Sequence, residues 1–131
     1  MSEPSRILLV DDHPINLEIL EELLMDDYQL ATATSGGEAL ALAGEFSPDL
    51  VLLDVMMPGM DGYETCRRMR QTPALHHTRI VMVSAKALPE ERQQGLAAGA
   101  DAYITKPFDH KALLAQVQGL LQQDGARDEG W

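Results

Sequence analysis

The 131-residue sequence predicts an α/β domain built on a parallel sheet, and three observations carry that prediction. Short apolar runs recur five times, and segments with helical spacing separate them. At least three of the runs are apolar almost without interruption, as strands covered on both faces must be. Strand and helix therefore alternate five times, which selects a sandwich with right-handed crossovers around a single core.

The first run is RILLV, residues 6–10. Pro14 then suits the first turn of a helix, where its fixed φ and missing N–H are tolerated. Leu17, Leu20 and Leu24 recur at i, i+3 and i+7 through residues 14–26. A second stripe, Ile15, Ile19 and Leu23, lies beside that face, so the helix is apolar over a wider arc than one core contact uses. QLATA (29–33) is the second run and LVLL (50–53) the third, which ends on Asp54. Asp61-Gly62 reads as a turn that opens a helix. RIVMV (79–83) is the fourth run, followed by Ser84; Pro89 marks another helix start and Gly99 that helix's end. DAYI (101–104) is the fifth, followed by Lys106-Pro107, where an X-Pro bond allows a cis peptide. Leu113, Val117, Leu120 and Leu121 carry a last helix over 109–122. The polar stretch QQDGARDEGW reads as structureless, which divides the chain into a domain over 1–122 and a tail or start of a linker over 123–131.

Hydrophobic residues at 45% and charged residues at 24% match an ordinary globular protein. The formal net charge of -11 argues against direct nucleic-acid binding by this domain, because the basic surface that displaces counterions is missing. No apolar run approaches the roughly 18 residues of a spanning helix. MSEPSR lacks the features of a secretory signal, and the single Cys66 allows no disulfide and no Cys-x-x-Cys motif. The expectation is a cytoplasmic protein without membrane contact.

Asp54 poses the functional question. An ionised carboxylate at the end of a buried strand is costly unless something pairs with it, binds it or uses it. Ligands of open α/β sheets bind beyond the carboxyl ends of the strands. That edge collects Asp11 and Asp12 after the first strand, Asp54 closing the third, Ser84 after the fourth and Lys106 after the fifth. Three carboxylates there repel one another and raise at least one pKa unless a hard cation and an ammonium group offset them. Mg²⁺, which takes a few carboxylate oxygens and keeps several waters, is the candidate, with Mn²⁺ as an alternative. Taken singly, the residues have plainer readings: Asp11 and Asp12 as caps of the helix near Pro14, Ser84 as another cap, Tyr103 as half-buried packing. His13, His76, His77 and His110 show no metal-ligand spacing and read as solvated surface.

The segments LLVDDHPIN, LVLLDVMMPGMDGYE, IVMVSA and YITKPF, each at a predicted strand, together resemble the receiver domains of two-component response regulators, from Arg6 to Phe108 and beyond. The resemblance implies a flavodoxin-like three-layer (βα)5 fold with strand order 2-1-3-4-5, an order the chemotaxis regulators of this family illustrate. It implies that Asp54 accepts a phosphoryl group from the phosphohistidine of a sensor histidine kinase or histidine phosphotransferase. Asp12, Asp54 and the main-chain oxygen of Met56 would hold Mg²⁺, Asp11 would orient its waters, and Lys106 would neutralise charge. Ser84 would bond the product and Tyr103 would turn inward as a switch controlling an effector domain or protein. Ile15, Ile19 and Pro107 are the expected docking residues for the phosphodonor. Met56 and Lys86 cannot align a hydrolytic water, so self-dephosphorylation should be slow. A dehalogenase-like phosphatase would need a second aspartate where Met56 stands, and neither a P-loop nor a G-x-G-x-x-G follows any strand. A pseudo-receiver that keeps the fold without phosphorylation is opposed by the complete set Asp11, Asp12, Asp54, Ser84 and Lys106.

Overall fold

The computed structural model describes residues 4–86 and 88–128, with side chains described through Gln122. The chain alternates β1 (Arg6–Val10), α1 (Pro14–Leu24), β2 (Gln29–Ala33), α2 (Gly36–Phe46), β3 (Leu50–Asp54), α3 (Gly62–Arg70), β4 (Arg79–Ser84), α4 (Pro89–Ala97), β5 (Ala102–Thr105) and α5 (His110–Asp128). The strands form one parallel sheet in the order β2-β1-β3-β4-β5. The three central strands are the three most continuously apolar runs and are buried almost throughout, whereas β2 and β5 lie at the edges and are partly exposed.

Side-chain alternation along each strand divides the core into two layers. Ile7, Leu9, Leu50, Leu52, Val81 and Val83 face α1 and α5, where Leu17, Leu20, Leu24, Leu113 and Val117 cover them. Leu8, Val10, Val51, Leu53, Ile80 and Met82 face the opposite side with Ala39, Ala43, Tyr63, Cys66 and Met69. Cys66 is packing material: burial pushes its thiol up to about 11, and its Sγ lies 3.4 Å from the Ala98 carbonyl.

Helix starts follow the sequence closely. Pro14 and Pro89 stand in first turns, and the Asp61 side chain accepts from the Glu64 N–H at 2.9 Å to start α3. Several expectations are corrected. Asp54 closes β3 as expected, whereas β4 runs one residue further, so Ser84 is the last residue of its strand rather than the first after it. Parallel pairing with the neighbouring strand holds both: Asp54 is in register with Val83, and Ser84 with Thr105. α1 stops at Leu24. α5 continues to Asp128, so helical backbone covers most of the stretch expected to be structureless; residues 129–131 lie outside the described residues. Leu23 is half-buried against the α1–α5 layer, which leaves Ile15 and Ile19 as the exposed part of the second stripe.

Candidate functional site

In the order β2-β1-β3 the strand order changes sense between β1 and β3, and a crevice opens beyond their carboxyl ends at that point. Asp54 is carried there by β3 and is only 5% exposed; Asp11, just past β1, is 3% exposed. Asp11 is held by its surroundings: its Oδ1 accepts from the His13 N–H at 2.9 Å and its Oδ2 from Asn16 Nδ2 at 3.2 Å. Neither Asp11 nor Asp12 caps α1, since the N-cap position belongs to His13, which makes no side-chain cap bond. The loop after β5 turns through a cis Lys106-Pro107 bond and delivers the Lys106 ammonium 3.3 Å from Asp11 Oδ2 and 3.7 Å from Asp54 Oδ1.

Burial is the main influence on Asp54 and raises its pKa, Asp11 pushing the same way; Lys106 and the Met56 N–H pull it down, and Asp12 adds a smaller upward push. Ionised Asp54 is therefore less comfortable in the folded chain than in the unfolded one. Its contribution to stability is intact below the ordinary carboxylate range and is lost as pH rises through the elevated folded value. Asp54→Asn is accordingly expected to raise the melting temperature at neutral pH in chelating buffer, with the advantage shrinking as pH falls toward about 4. Thermal scans of both proteins across that range check it; an advantage that grows on acidification would contradict the sign.

The acidic cluster fits a divalent cation. One ligand atom from each of Asp11, Asp12, His13 and Asp54 can be chosen so that all lie within 4.8 Å of one another. Asp12 Oδ1 is buried yet accepts no hydrogen bond; His13 Nδ1 stands 3.1 Å away without the alignment for one. A buried carboxylate oxygen without a donor is a position a cation satisfies.

Ser84 is fully buried, and its Oγ accepts from the Lys86 N–H at 3.1 Å; it does not cap α4, whose N-cap is Leu88. Tyr103 is buried and donates its hydroxyl to the Lys86 carbonyl at 2.9 Å, so it grips the loop that begins at Ser84. Gly95 makes room for it, since a Cβ there would stand 2.9 Å from the Tyr103 ring. Lys86 has its Nζ 3.7 Å from Glu91. Ile15 is 69% and Ile19 41% exposed. Ile19, Pro107 and Phe108 line one side of a cleft of about 290 Å³ whose floor includes Asp11, Asp54 and Lys106.

Sequence reasoning missed two participants. His13 was assigned to solvated surface, and its side chain is indeed 66% exposed, but Nδ1 lies 3.3 Å from Asp11 Oδ1 and 3.1 Å from Asp12 Oδ1. Its place next to two aspartates was the available signal. Tyr63, the other, donates to the Glu91 carbonyl at 3.2 Å and so ties α3 to the start of α4; an aromatic on a helix face carries no signal that distinguishes this from packing.

An acidic cleft with one ammonium group at the switch point of a parallel sheet defines an α/β domain that handles phosphoryl groups or cations. The chain belongs to the response regulator receiver domain family, whose family model matches residues 7–118. It is similar to the response regulator PleD of Caulobacter vibrioides, 44% identical over 119 residues that cover 90% of this chain and 26% of PleD. Among solved structures it resembles the chemotaxis protein CheY4 of Vibrio cholerae, with TM-score 0.86, 34% identity and coverage of 90% of this chain and 99% of that one. It also resembles the receiver domain of the sensor histidine kinase PA1611 of Pseudomonas aeruginosa, described with a magnesium ion coordinated in its active-site cleft. There the TM-score is 0.84 and identity 30%, over 92% of this chain and 99% of that one. The chain spans about a quarter to a half of the curated relatives it matches. It is a receiver domain of the two-component type, and no helix among the described residues is long and apolar enough to cross a membrane.

Proposed function

We propose that this receiver domain takes a phosphoryl group from a phosphohistidine onto Asp54 and passes the change to the β4–α4 loop and β5. The observation that carries the proposal is the pairing of a buried, destabilised carboxylate with a single ammonium 3.7 Å away, at the open end of the sheet. An Asp54 oxygen attacks phosphorus, the phosphorus–nitrogen bond of the donor breaks, and the imidazole leaves with its electron pair and takes up a proton. Lys106 sits where it can neutralise charge on the transferring oxygens. A divalent ion held by Asp12, Asp54 and the Met56 carbonyl, with Asp11 orienting its waters, would supply the remaining neutralisation; the similar PA1611 receiver domain has a magnesium ion coordinated in its active-site cleft. Ser84 Oγ already accepts from Lys86, which leaves its O–H available to donate to a phosphoryl oxygen. Tyr103 holds the same loop through the Lys86 carbonyl, so a shift of Ser84 reaches β5 and α4.

The same reading places the receiver within residues 1–122 and in the cytoplasm, with a sensor histidine kinase or histidine phosphotransferase upstream and an effector domain or protein downstream. Intact mass after acetyl phosphate or beryllofluoride treatment tests it: a Mg²⁺-dependent adduct on the wild type, absent from Asp54→Ala, is expected. No adduct, or the same adduct on the variant, overturns it. Mass spectra followed over time read the lifetime. Met56 is apolar and Lys86 is engaged by Glu91, so neither aligns water, and decay within seconds would contradict a slow timer.

The donor is proposed to dock on Ile15, Ile19 and Pro107, which are exposed around the cleft. Ile15→Ala should slow transfer from phosphohistidine about tenfold, the loss of roughly 1.4 kcal/mol of apolar contact, and leave acetyl phosphate labelling unchanged. Equal losses in both assays would defeat the docking role.

A further inference from the structure

We propose that His13 supplies an imidazole nitrogen to the cation site and gives it a preference for a divalent transition ion, Mn²⁺ or Co²⁺, over Mg²⁺. The inference rests on the reading of the acidic cluster as a cation site and goes beyond it in ligand and in metal. Adjacent ligands of an octahedral ion at about 2.1 Å stand about 3.0 Å apart, and opposite ones about 4.2 Å apart. The His13 Nδ1 distance of 3.1 Å to Asp12 Oδ1 matches an adjacent position. Asp12 Oδ1 accepts no hydrogen bond from His13 despite that separation, so the pair is close without being satisfied. Pro14 follows His13 directly and opens α1, and the His13 N–H is bonded to Asp11, which fixes the backbone that aims the ring at the carboxylates. The outward face of the ring is in solvent, so the metal-facing nitrogen is Nδ1 and the proton resides on Nε2 when the ion is bound.

Magnesium is a hard ion that prefers oxygen and dehydrates reluctantly; an added imidazole helps it little. Manganese gains moderately from nitrogen and cobalt gains more, in the order general for divalent first-row ions. His13 therefore separates the metals without altering the three carboxylates. It is a binding residue with no role in attacking phosphorus.

The test titrates the full chain with MgCl2, MnCl2 and CoCl2 by calorimetry, in wild type and His13→Ala. Pulsed EPR of the Mn²⁺-loaded proteins then looks for the coupling of a ligated imidazole nitrogen. Wild type is expected to bind Co²⁺ at least tenfold more tightly than Mg²⁺ and to show that coupling. His13→Ala should lose both while its Mg²⁺ affinity changes less than twofold. His13 is exposed, so the variant should fold, and an unchanged melting temperature of the metal-free protein verifies it. A cobalt-to-magnesium ratio that survives in His13→Ala, or no nitrogen coupling in the wild type, overturns the inference and leaves His13 as a hydrogen-bond partner of Asp11. Failure of the wild type to bind any of the three ions overturns the cation-site reading as well, which separates the two claims.

Discussion

Replacing Lys106 with alanine is expected to slow phosphoryl transfer from acetyl phosphate to Asp54 by about 10²–10³-fold, the usual cost of removing one charge-stabilising group from a preorganised site. The ammonium lies 3.3 Å from Asp11 Oδ2 and 3.7 Å from Asp54 Oδ1, so its removal leaves two buried carboxylates facing each other with no fixed cation between them. Two effects then oppose. Charge on the transferring oxygens loses its partner, while the more negative pocket holds a divalent ion at least as tightly as before. Lys106, alongside the Met56 N–H, also lowers the Asp54 pKa, so the variant's Asp54 should titrate higher still. Single-turnover labelling measured alongside a Mg²⁺ titration checks both. A variant that labels at the wild-type rate would show that Lys106 does not assist transfer, and one that loses metal affinity together with labelling would show that Lys106 acts by holding the fold of the cleft.

Gly62→Ala is the second large effect, and it acts through backbone. A Cβ at this position would stand 2.4 Å from the Asp54 carbonyl oxygen and 2.7 Å from Val55 Cα. Both are main-chain atoms of the strand end, so no rotamer change relieves the contact. The start of α3 must move away from β3, and the Gly62 N–H bond to the Val55 carbonyl at 2.8 Å is lost or stretched. Overpacking of this kind costs about 1–3 kcal/mol, and a displacement near 1 Å at Asp54 costs about 10²-fold in rate. Circular dichroism melts and adduct kinetics read the two separately. Wild-type stability and labelling in Gly62→Ala would mean that the loop after β3 is free to shift without consequence.

Both expectations depend on a site whose frame was legible in the linear chain. After the opening arginines of the first and third, RILLV, LVLL and RIVMV are apolar at every position, because a central parallel strand is covered on both faces, and such runs stand out without knowledge of their neighbours. The polar residues that end these runs, Asp11, Asp54 and Ser84, together with Lys106 after the fifth strand, had to fall on one edge because parallel strands share a direction. Proline positions marked helix starts for an equally local reason, the loss of an N–H that the first turn does not need.

Other features depended on approach through space. The end of β4 lies one residue beyond the apolar run, because the last ladder pairing belongs to the neighbouring strand and leaves no mark on Ser84 itself. α5 outran its apolar spacing through Asp128, since a helix already docked by Leu113 and Val117 propagates into a polar segment at little cost once nucleated. Leu23 looked identical to Ile15 and Ile19 in the stripe and became half-buried only because α1 packs against the layer that α5 completes. Tyr103 could face in or out along β5 until α4 was brought over it, with Gly95 leaving the space its ring occupies. Periodicity in the chain determined which faces are buried, because burial recurs with the backbone repeat. The direction of Tyr103 was decided by tertiary structure, because its hydroxyl meets the Lys86 carbonyl 17 residues earlier in the chain.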